Sequence, residues 1–480
     1  MSREHPGLYG TDRSLDEQTR ALRAGEVPVA VYGLGKMGLP LAAVYARATG
    51  NVTGVDISED VVRGVNDGEC HVAKEPGLPE LVAEQADRGA LRATTDGVAA
   101  AERAAVHVVI VPTPLTDDRE PDLAAFEAVL DSIARGLAPG DLVVVECTVP
   151  PGTSSDLVVP YLADRSGLSA GEFGVAFCPE RTSSGRALRD ITESHPKIVG
   201  GVDAESTRVA ALVYGEITSN EVIPVRDATT AEAVKLFEGV YRDVNIALAN
   251  ELARLHDDLG IDVTEAIDAA NTQPYCDIHA PGPGVGGHCI PWYPYFITSR
   301  VAAETPLLLT AREVNDSMPA FTADKLRDEL AAAGREIRGA TVAVLGVTYR
   351  PGVAETRTTP AAGVIDRLNE LGATVLAVDP MLSDEVVASF GATPVSLADL
   401  PTRAIDAAVV VTPHEEFDGI DWAAFDDLVV VDGRGTLGDI GHRVYEIGGG
   451  PRGESSADAD SEAEAEVAVG TDAPHGGSGR

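Results

Sequence analysis

At 480 residues the chain is long enough for two or three domains, each burying its own core. Hydrophobic residues make up 44%, and no apolar run reaches the ~18 residues that a membrane-spanning helix needs, so the composition reads as soluble and globular. Lys and Arg number 37 against 76 Asp and Glu, and the net charge of −39 argues against nucleic acid and anionic membrane as partners. The acids are spread along the chain and Lys is scarce beside Arg. That pattern predicts a halophilic protein, soluble in high salt where screening weakens self-repulsion.

Residues 1–26 are polar, lack a secretory apolar stretch and read as a loosely ordered extension of a cytoplasmic protein. From Pro28 the pattern changes. VPVAVYGLGKMGLPLAAVYARATGNVTGVDI reads as strand, glycine turn, helix, strand. Gly33-x-Gly35-x-x-Gly38 opens the helix, and a second strand ends at Asp56, 18 residues after Gly38. This context suits a dinucleotide: glycines for a tight turn and close backbone approach to pyrophosphate, a carboxylate for the ribose diol. Asp56 would repel a 2′-phosphate, which favours NAD over NADP. A glycine turn serving packing alone is the competing reading. Apolar runs at 106–112, 142–147 and 173–179 alternate with helical segments, which implies a doubly wound α/β sheet.

Residues 229–260 lack Pro, and Val234, Phe237, Val240, Tyr241, Val244 and Leu248 recur at helical spacing. Thr229 or Thr230 with Glu232 supplies an N-terminal cap and Gly260 a stop. Such a helix spans about 45 Å, enough to bridge two domains and form a dimer face. Lys235 lies on it among apolar neighbours. Desolvated there it could steady an oxyanion or move a proton; otherwise it is a solvated surface lysine.

Residues 274–295 are rich in Pro and Gly and predict a loop. It carries GPGVGGHCIP, where Cys289 is either an accessible nucleophile or a small buried hydrophobe. The five cysteines (70, 147, 178, 276 and 289) contain no CxxC, which predicts neither a disulfide framework nor a metal site. His288 reads as structural or substrate-orienting rather than as a base. At 341 a strand–turn–helix pattern restarts as a second α/β unit. From about 450 the chain is acidic and free of aromatics, and predicts disorder.

These motifs in this order resemble the UDP-glucose/GDP-mannose dehydrogenase family, most closely its UDP-N-acetyl-D-mannosamine branch. The resemblance runs from about 28 to 445 and rests on VYGLGKMGLPLA, VPTPL, CTVPPGT, FCPER, HPKIVGG, AEAVKLFEGVYRDVNIALANEL, GPGVGGHCIP and TYRPGVAETRTTP. It implies an N-terminal Rossmann NAD domain (27–226), a central helical domain with a long dimerisation helix (227–325) and a C-terminal Rossmann-like UDP-sugar domain (326–448), followed by an acidic tail (449–480). It implies that Gly33, Leu34, Gly35, Met37, Gly38, Asp56, Thr113, Thr148 and Arg357 face NAD. Cys289, Lys235 and Glu180 would be catalytic, and Arg181, Arg242, Gly286, Tyr349 and Arg350 would meet the UDP-sugar, with no metal. The implied reaction oxidises C6 of the sugar to a carboxylate through a thioester on Cys289, in a homodimer that serves polysaccharide synthesis.

Departures cluster near the sugar. Tyr293 stands where many relatives carry Asp, Gly239 where they carry Asn, and Gln273-Pro274-Tyr275 where the mannosamine branch has His-Pro-Arg. Arg350 replaces a common Lys. They leave UDP-glucose or UDP-N-acetylglucosamine as alternative substrates, and Glu180, Asp277 or Thr148 as the group positioning the hydrolytic water. A two-electron hydroxyacid dehydrogenase and a non-catalytic nucleotide-sugar binding protein are the competing readings.

Overall fold

The computed structural model describes residues 6–452, so the expected acidic tail lies almost wholly outside the described residues. The chain forms two compact units. One holds the residues up to Glu238 and Trp292–Glu304; the other holds Gly239–Pro291 and the residues from Thr305 onward.

The first unit is built on β1 (Val29–Tyr32), β2 (Val52–Val55), β3 (Leu91–Thr94), β4 (Val106–Val109), β5 (Leu142–Val145), β6 (Gly174–Phe177), β7 (Lys197–Gly201) and β8 (Val222–Pro224). They form one sheet in the order β3-β2-β1-β4-β5-β6-β7-β8, parallel except where β7 runs against β6. Strands β1, β4, β5 and β6 are buried along their whole length. Short Val-rich runs without polar alternation are what a sheet covered on both faces requires. Strand order reverses between β1 and β4, so the loops at their carboxyl ends diverge and leave a crevice for a ligand.

The second unit repeats the plan with β9 (Thr341–Leu345), β10 (Thr374–Val378), β11 (Thr393–Pro394), β12 (Ala407–Val410), β13 (Val429–Asp432), β14 (Arg443–Glu446) and β15 (Gly450–Arg452). Their order is β11-β10-β9-β12-β13-β14-β15, and only β15 is antiparallel to its neighbour. The helix Pro306–Ala332 packs Met318, Ala323, Leu326 and Leu330 into the core of this sheet.

Three local expectations are corrected. The supposed loose extension contains a helix, Leu15–Arg23, opened by a capping box between Ser14 and Glu17. Leu8 and Leu22 join the core of the first unit, so burial holds this segment in place. The start of the supposed tail, Gly450–Arg452, pairs with β14. The long helix runs Ala228–Arg254, and a separate short turn, His256–Leu259, carries the chain to Gly260, which is left-handed with φ +64°. Its cap is Asp227, whose carboxylate accepts the Thr230 N–H at 2.8 Å. Glu232 is drawn elsewhere: it accepts N–H bonds from Gly152 (2.5 Å) and Ser154 (2.8 Å), in the loop that follows Thr148.

Candidate active site

In the first unit the turn after β1 is shaped by steric necessity. Gly33 has φ +98°, and a Cβ there would lie 2.4 Å from the Ile110 carbonyl oxygen. A Cβ on Gly38 would lie 1.9 Å from the Gly33 oxygen, whereas one on Gly35 would meet nothing within 4 Å. Two glycines therefore allow the turn to close, and the third leaves its backbone bare. The helix Gly38–Thr49 starts at Met37 without a side-chain cap. An uncapped helix start beside bare backbone fits a pyrophosphate. Asp56 Oδ2 accepts the Leu34 N–H at 2.9 Å and its Oδ1 accepts the Ser58 N–H at 2.9 Å. Each oxygen keeps a lone pair, and the residue is only half-buried. At the carboxyl ends of β4 and β5, the Thr113 hydroxyl donates to the Thr148 carbonyl at 2.6 Å. The residues present fit a bound NAD.

The FCPER segment after β6 brings Glu180 against the long helix. Lys235, 5% exposed, donates to the Glu180 carbonyl and lies 3.3 Å from Glu180 Oε2. Thr182 donates to Glu180 Oε1 through both its N–H and its hydroxyl, and the same hydroxyl lies 2.8 Å from Met37 Sδ. The dinucleotide turn and the Glu180 loop thus touch directly. Burial pushes the Glu180 carboxyl up, but Lys235, the Thr182 hydrogen bonds and Lys197 together hold it below the usual range. Lys235 Nζ sits 6.0 Å from the ring centre of Tyr293, which is 8% exposed. The departure at Tyr293 therefore faces the helix lysine. Arg181 is tied to Glu238 at 2.8 Å and to the Pro196 carbonyl at 3.1 Å.

Sequence reasoning missed part of this cluster. Glu146 and Lys197 are both buried, the Tyr214 hydroxyl donates to Glu146, and burial raises the Glu146 carboxyl. Lys197 is another of the five lysines. Lysine is scarce in this chain, and that scarcity is a signal that could have found it.

The second unit holds Arg242, Gly286, Cys289, Tyr349, Arg350 and Arg357. The Pro-Gly segment is tethered at several points. Gly282 N–H donates to Asn250 at 2.8 Å, and Asn250 is held by Asn315 at 2.9 Å. Arg434 donates to the Val411 carbonyl at 3.1 Å and lies 3.4 Å from the Gly284 carbonyl. Gly287 N–H donates to the Arg357 carbonyl at 2.9 Å, and the Thr358 hydroxyl donates back to the Gly287 carbonyl. Thr358 takes φ +46° to do so, a costly conformation for a β-branched residue. Gly286 is small because Tyr349 needs the space: a Cβ there would lie 2.7 Å from the Tyr349 Cβ. Arg242 and Arg357 are exposed, while Tyr349 and Arg350 are half-buried.

Of the five cysteines, only Cys289 is exposed. Burial pushes the Cys147 and Cys178 thiols up to about 12, which leaves them unreactive at neutral pH. His288 precedes Cys289 in the chain, and its Nδ1 lies 3.8 Å from Glu355 Oε1.

Residues 27–218 match the NAD-binding domain of the UDP-glucose/GDP-mannose dehydrogenase family, residues 229–317 its central domain and residues 343–439 its UDP-binding domain. The chain is 36% identical over 414 residues to a UDP-N-acetyl-D-mannosamine dehydrogenase of Pyrococcus horikoshii, covering 85% of this chain and 96% of that one. It is also 36% identical over 433 residues to an NDP-N-acetyl-D-galactosaminuronic acid dehydrogenase of Ralstonia nicotianae, covering 88% and 98%. The solved structure of a UDP-glucose dehydrogenase from Pyrobaculum islandicum matches with a TM-score of 0.79 at 28% identity, over 88% of this chain and 98% of that one. The three relatives are named for different sugars, so overall likeness does not select among them. Among the described residues, no helix is long and apolar enough to cross a membrane.

Proposed function

The chain belongs to the UDP-glucose/GDP-mannose dehydrogenase family and is an NAD-dependent nucleotide-sugar dehydrogenase, and from that premise we propose that it oxidises the C6 hydroxyl of UDP-N-acetyl-D-mannosamine to a carboxylate through Cys289. The observation that carries the mechanism is the exposure of Cys289 alone among five cysteines, on a loop pinned by Asn250, Arg434 and Thr358. NAD, when bound, supplies the hydride acceptor for both oxidations. Gly33, Leu34, Gly35, Met37 and Gly38 would hold its pyrophosphate and Asp56 its ribose diol, and Thr113, Thr148 and Arg357 would contact the remainder of the cofactor. The Cys289 thiolate adds to the aldehyde left by the first oxidation and keeps it from escaping as a thiohemiacetal. The second oxidation makes that adduct a thioester, which water opens to the acid.

Lys235 steadies the oxyanions, because a desolvated ammonium interacts strongly with developing negative charge. Glu180, whose carboxyl is held below the usual range, positions the hydrolytic water as a hydrogen-bond acceptor. Arg181, Arg242, Gly286, Tyr349 and Arg350 form the UDP-sugar side, where guanidinium groups suit a diphosphate. The exposed Phe237, Tyr241 and Leu248 along the long helix support a homodimer through that helix. The dispersed acid and scarce lysine support a cytoplasm of high salt.

The test is a substrate panel in molar KCl with NAD, counting NADH per sugar. Wild type should yield two NADH from UDP-N-acetyl-D-mannosamine, and Cys289→Ser should yield no carboxylate. A Cys289→Ser variant that still makes carboxylate at the wild-type rate overturns the mechanism. Preference for UDP-glucose or UDP-N-acetylglucosamine overturns the sugar assignment alone.

A further inference from the structure

Resting on the reading of Tyr349 and Arg350 as part of the UDP-sugar side, we propose that His414 is a positioning residue for the nucleoside diphosphate. It clamps Thr348 to Gly352 and so fixes the turn that presents Tyr349 and Arg350.

Thr348 follows β9 and His414 follows β12, and these strands are parallel neighbours. Their loops therefore leave the sheet side by side at its carboxyl ends. The His414 side chain is 0% exposed. A polar ring in such a place costs free energy unless its nitrogens are bonded. Here both are. Nε2 lies 2.8 Å from the Thr348 hydroxyl and 3.2 Å from Asp379 Oδ2, and Nδ1 accepts the Gly352 N–H at 3.4 Å. A backbone N–H can only donate, so the ring proton sits on Nε2. Phe417 stands edge-on to the imidazole, with ring centres 5.5 Å apart.

Thr348 is equally committed. It is buried, its N–H donates to Asp379 at 2.8 Å, and its carbonyl accepts the Thr412 hydroxyl at 2.6 Å. One end of the turn is thus built into the core. The other end, Gly352, is exposed and takes φ +73°. Tyr349, Arg350 and Pro351 stand between the two, and the imidazole spans the gap. The turn is bonded again further along, where the Tyr349 N–H donates to the Glu355 carbonyl at 2.9 Å.

Such a clamp matters to a diphosphate because guanidinium–phosphate hydrogen bonds are directional. A turn already closed loses little freedom on binding, whereas an open one must be ordered first. His414, being buried, acts through Tyr349 and Arg350 and not by touching the ligand.

The test uses UDP as the probe, titrated calorimetrically into full-length protein in molar KCl, with NAD affinity read by fluorescence on the same samples. Thr348→Val removes the hydroxyl and keeps a branched side chain; Thr348→Ser keeps the hydroxyl. Thr348→Val should weaken UDP about fivefold and His414→Gln about tenfold, both with NAD affinity at the wild-type value. Thr348→Ser should bind UDP as wild type does. Circular dichroism selects the variants that hold their fold, and Thr348→Val carries the comparison if His414→Gln does not fold. Wild-type UDP affinity in a folded Thr348→Val or His414→Gln protein overturns the clamp. An equal loss of UDP and NAD affinity overturns it too, because that marks general damage. Arg350→Ala separates the clamp from the reading beneath it. Undiminished UDP affinity in that variant sinks the UDP-sugar assignment of the turn and the clamp with it. A loss in Arg350→Ala alone leaves the assignment standing and removes only the clamp.

Discussion

The two sheets start from the same device and spend it differently. Gly33 after β1 and Gly346 after β9 both take positive φ, +98° and +89°. A Cβ on either would strike a carbonyl oxygen of the neighbouring strand's loop, Ile110 at 2.4 Å or Thr412 at 2.2 Å. Both second strands end in an aspartate that turns back to the first loop, Asp56 and Asp379. In the first unit the helix follows at once, from Gly38, and the short turn keeps bare backbone for a dinucleotide. In the second unit the helix waits until Pro360, and the intervening loop carries Tyr349, Arg350, Glu355 and Arg357. One strand order thus supports a phosphate-binding turn in one place and a side-chain-bearing loop in the other. Turn length, and not topology, separates the two uses.

The largest effects come from adding a methyl where both turns are closed. Gly38→Ala and Gly346→Ala should each lose about 3 kcal/mol, because the clash is with backbone that cannot swing aside. Thermal melts in molar KCl check this. A Gly346→Ala protein that melts as wild type does would break the proposed equivalence of the two turns.

The aspartates sharpen the comparison. Asp379 Oδ2 accepts N–H bonds from Val347 (2.7 Å) and Thr348 (2.8 Å) and lies 3.2 Å from His414 Nε2, while Oδ1 accepts from Met381 at 2.8 Å. Its side chain is 0% exposed, so nothing remains for a ligand, whereas Asp56 keeps a lone pair on each oxygen. Burial opposes ionisation of Asp379, but the bonds from His414, Thr348, Met381 and Val347 outweigh it and hold the carboxyl below its usual range. A carboxyl lowered on folding stabilises the protein fully above its unfolded value of about 3.9, and the benefit fades as pH falls through the folded value. Asp379→Asn should therefore cost about 2 kcal/mol at neutral pH, with the gap from wild type closing in acid. Asp56→Asn should cost less stability and instead weaken NAD about tenfold, read by fluorescence titration. Equal melting losses in the two variants would remove the distinction.

Much of this was legible in the chain, for physical reasons. The buried parallel strands announced themselves as Val-rich runs with no alternation, and Gly33, Gly35, Gly38 and Asp56 stand at spacings that steric closure demands. Cys289 stood out because glycines surround it. What escaped were groups whose meaning depends on distant partners. Glu232 looked like a capping residue but reaches Gly152 and Ser154, and only the fold brings them together. Glu355 carries no local signal: it lies 67 positions from His288 in the chain, and stitching of two loops brings them close. The helix Leu15–Arg23 was overlooked although Ser14 and Glu17 spell a capping box, because the charged sequence around them masked it.

The smallest effect on stability is expected at Gly35. Its φ lies outside the left-handed range and a Cβ there meets nothing within 4 Å, so Ala can adopt the native backbone without strain. Gly35→Ala should leave the melt unchanged or raise it by about 0.5 kcal/mol, since alanine narrows the unfolded ensemble. The same methyl would stand where pyrophosphate must approach the backbone, so NAD affinity should fall several-fold while folding is untouched. Gly33 and Gly38 cannot separate these two quantities, because closing the turn and binding the cofactor fail together there. Gly35 can, and an unchanged NAD affinity in a folded Gly35→Ala protein would mean that the open space beside it is not the phosphate site.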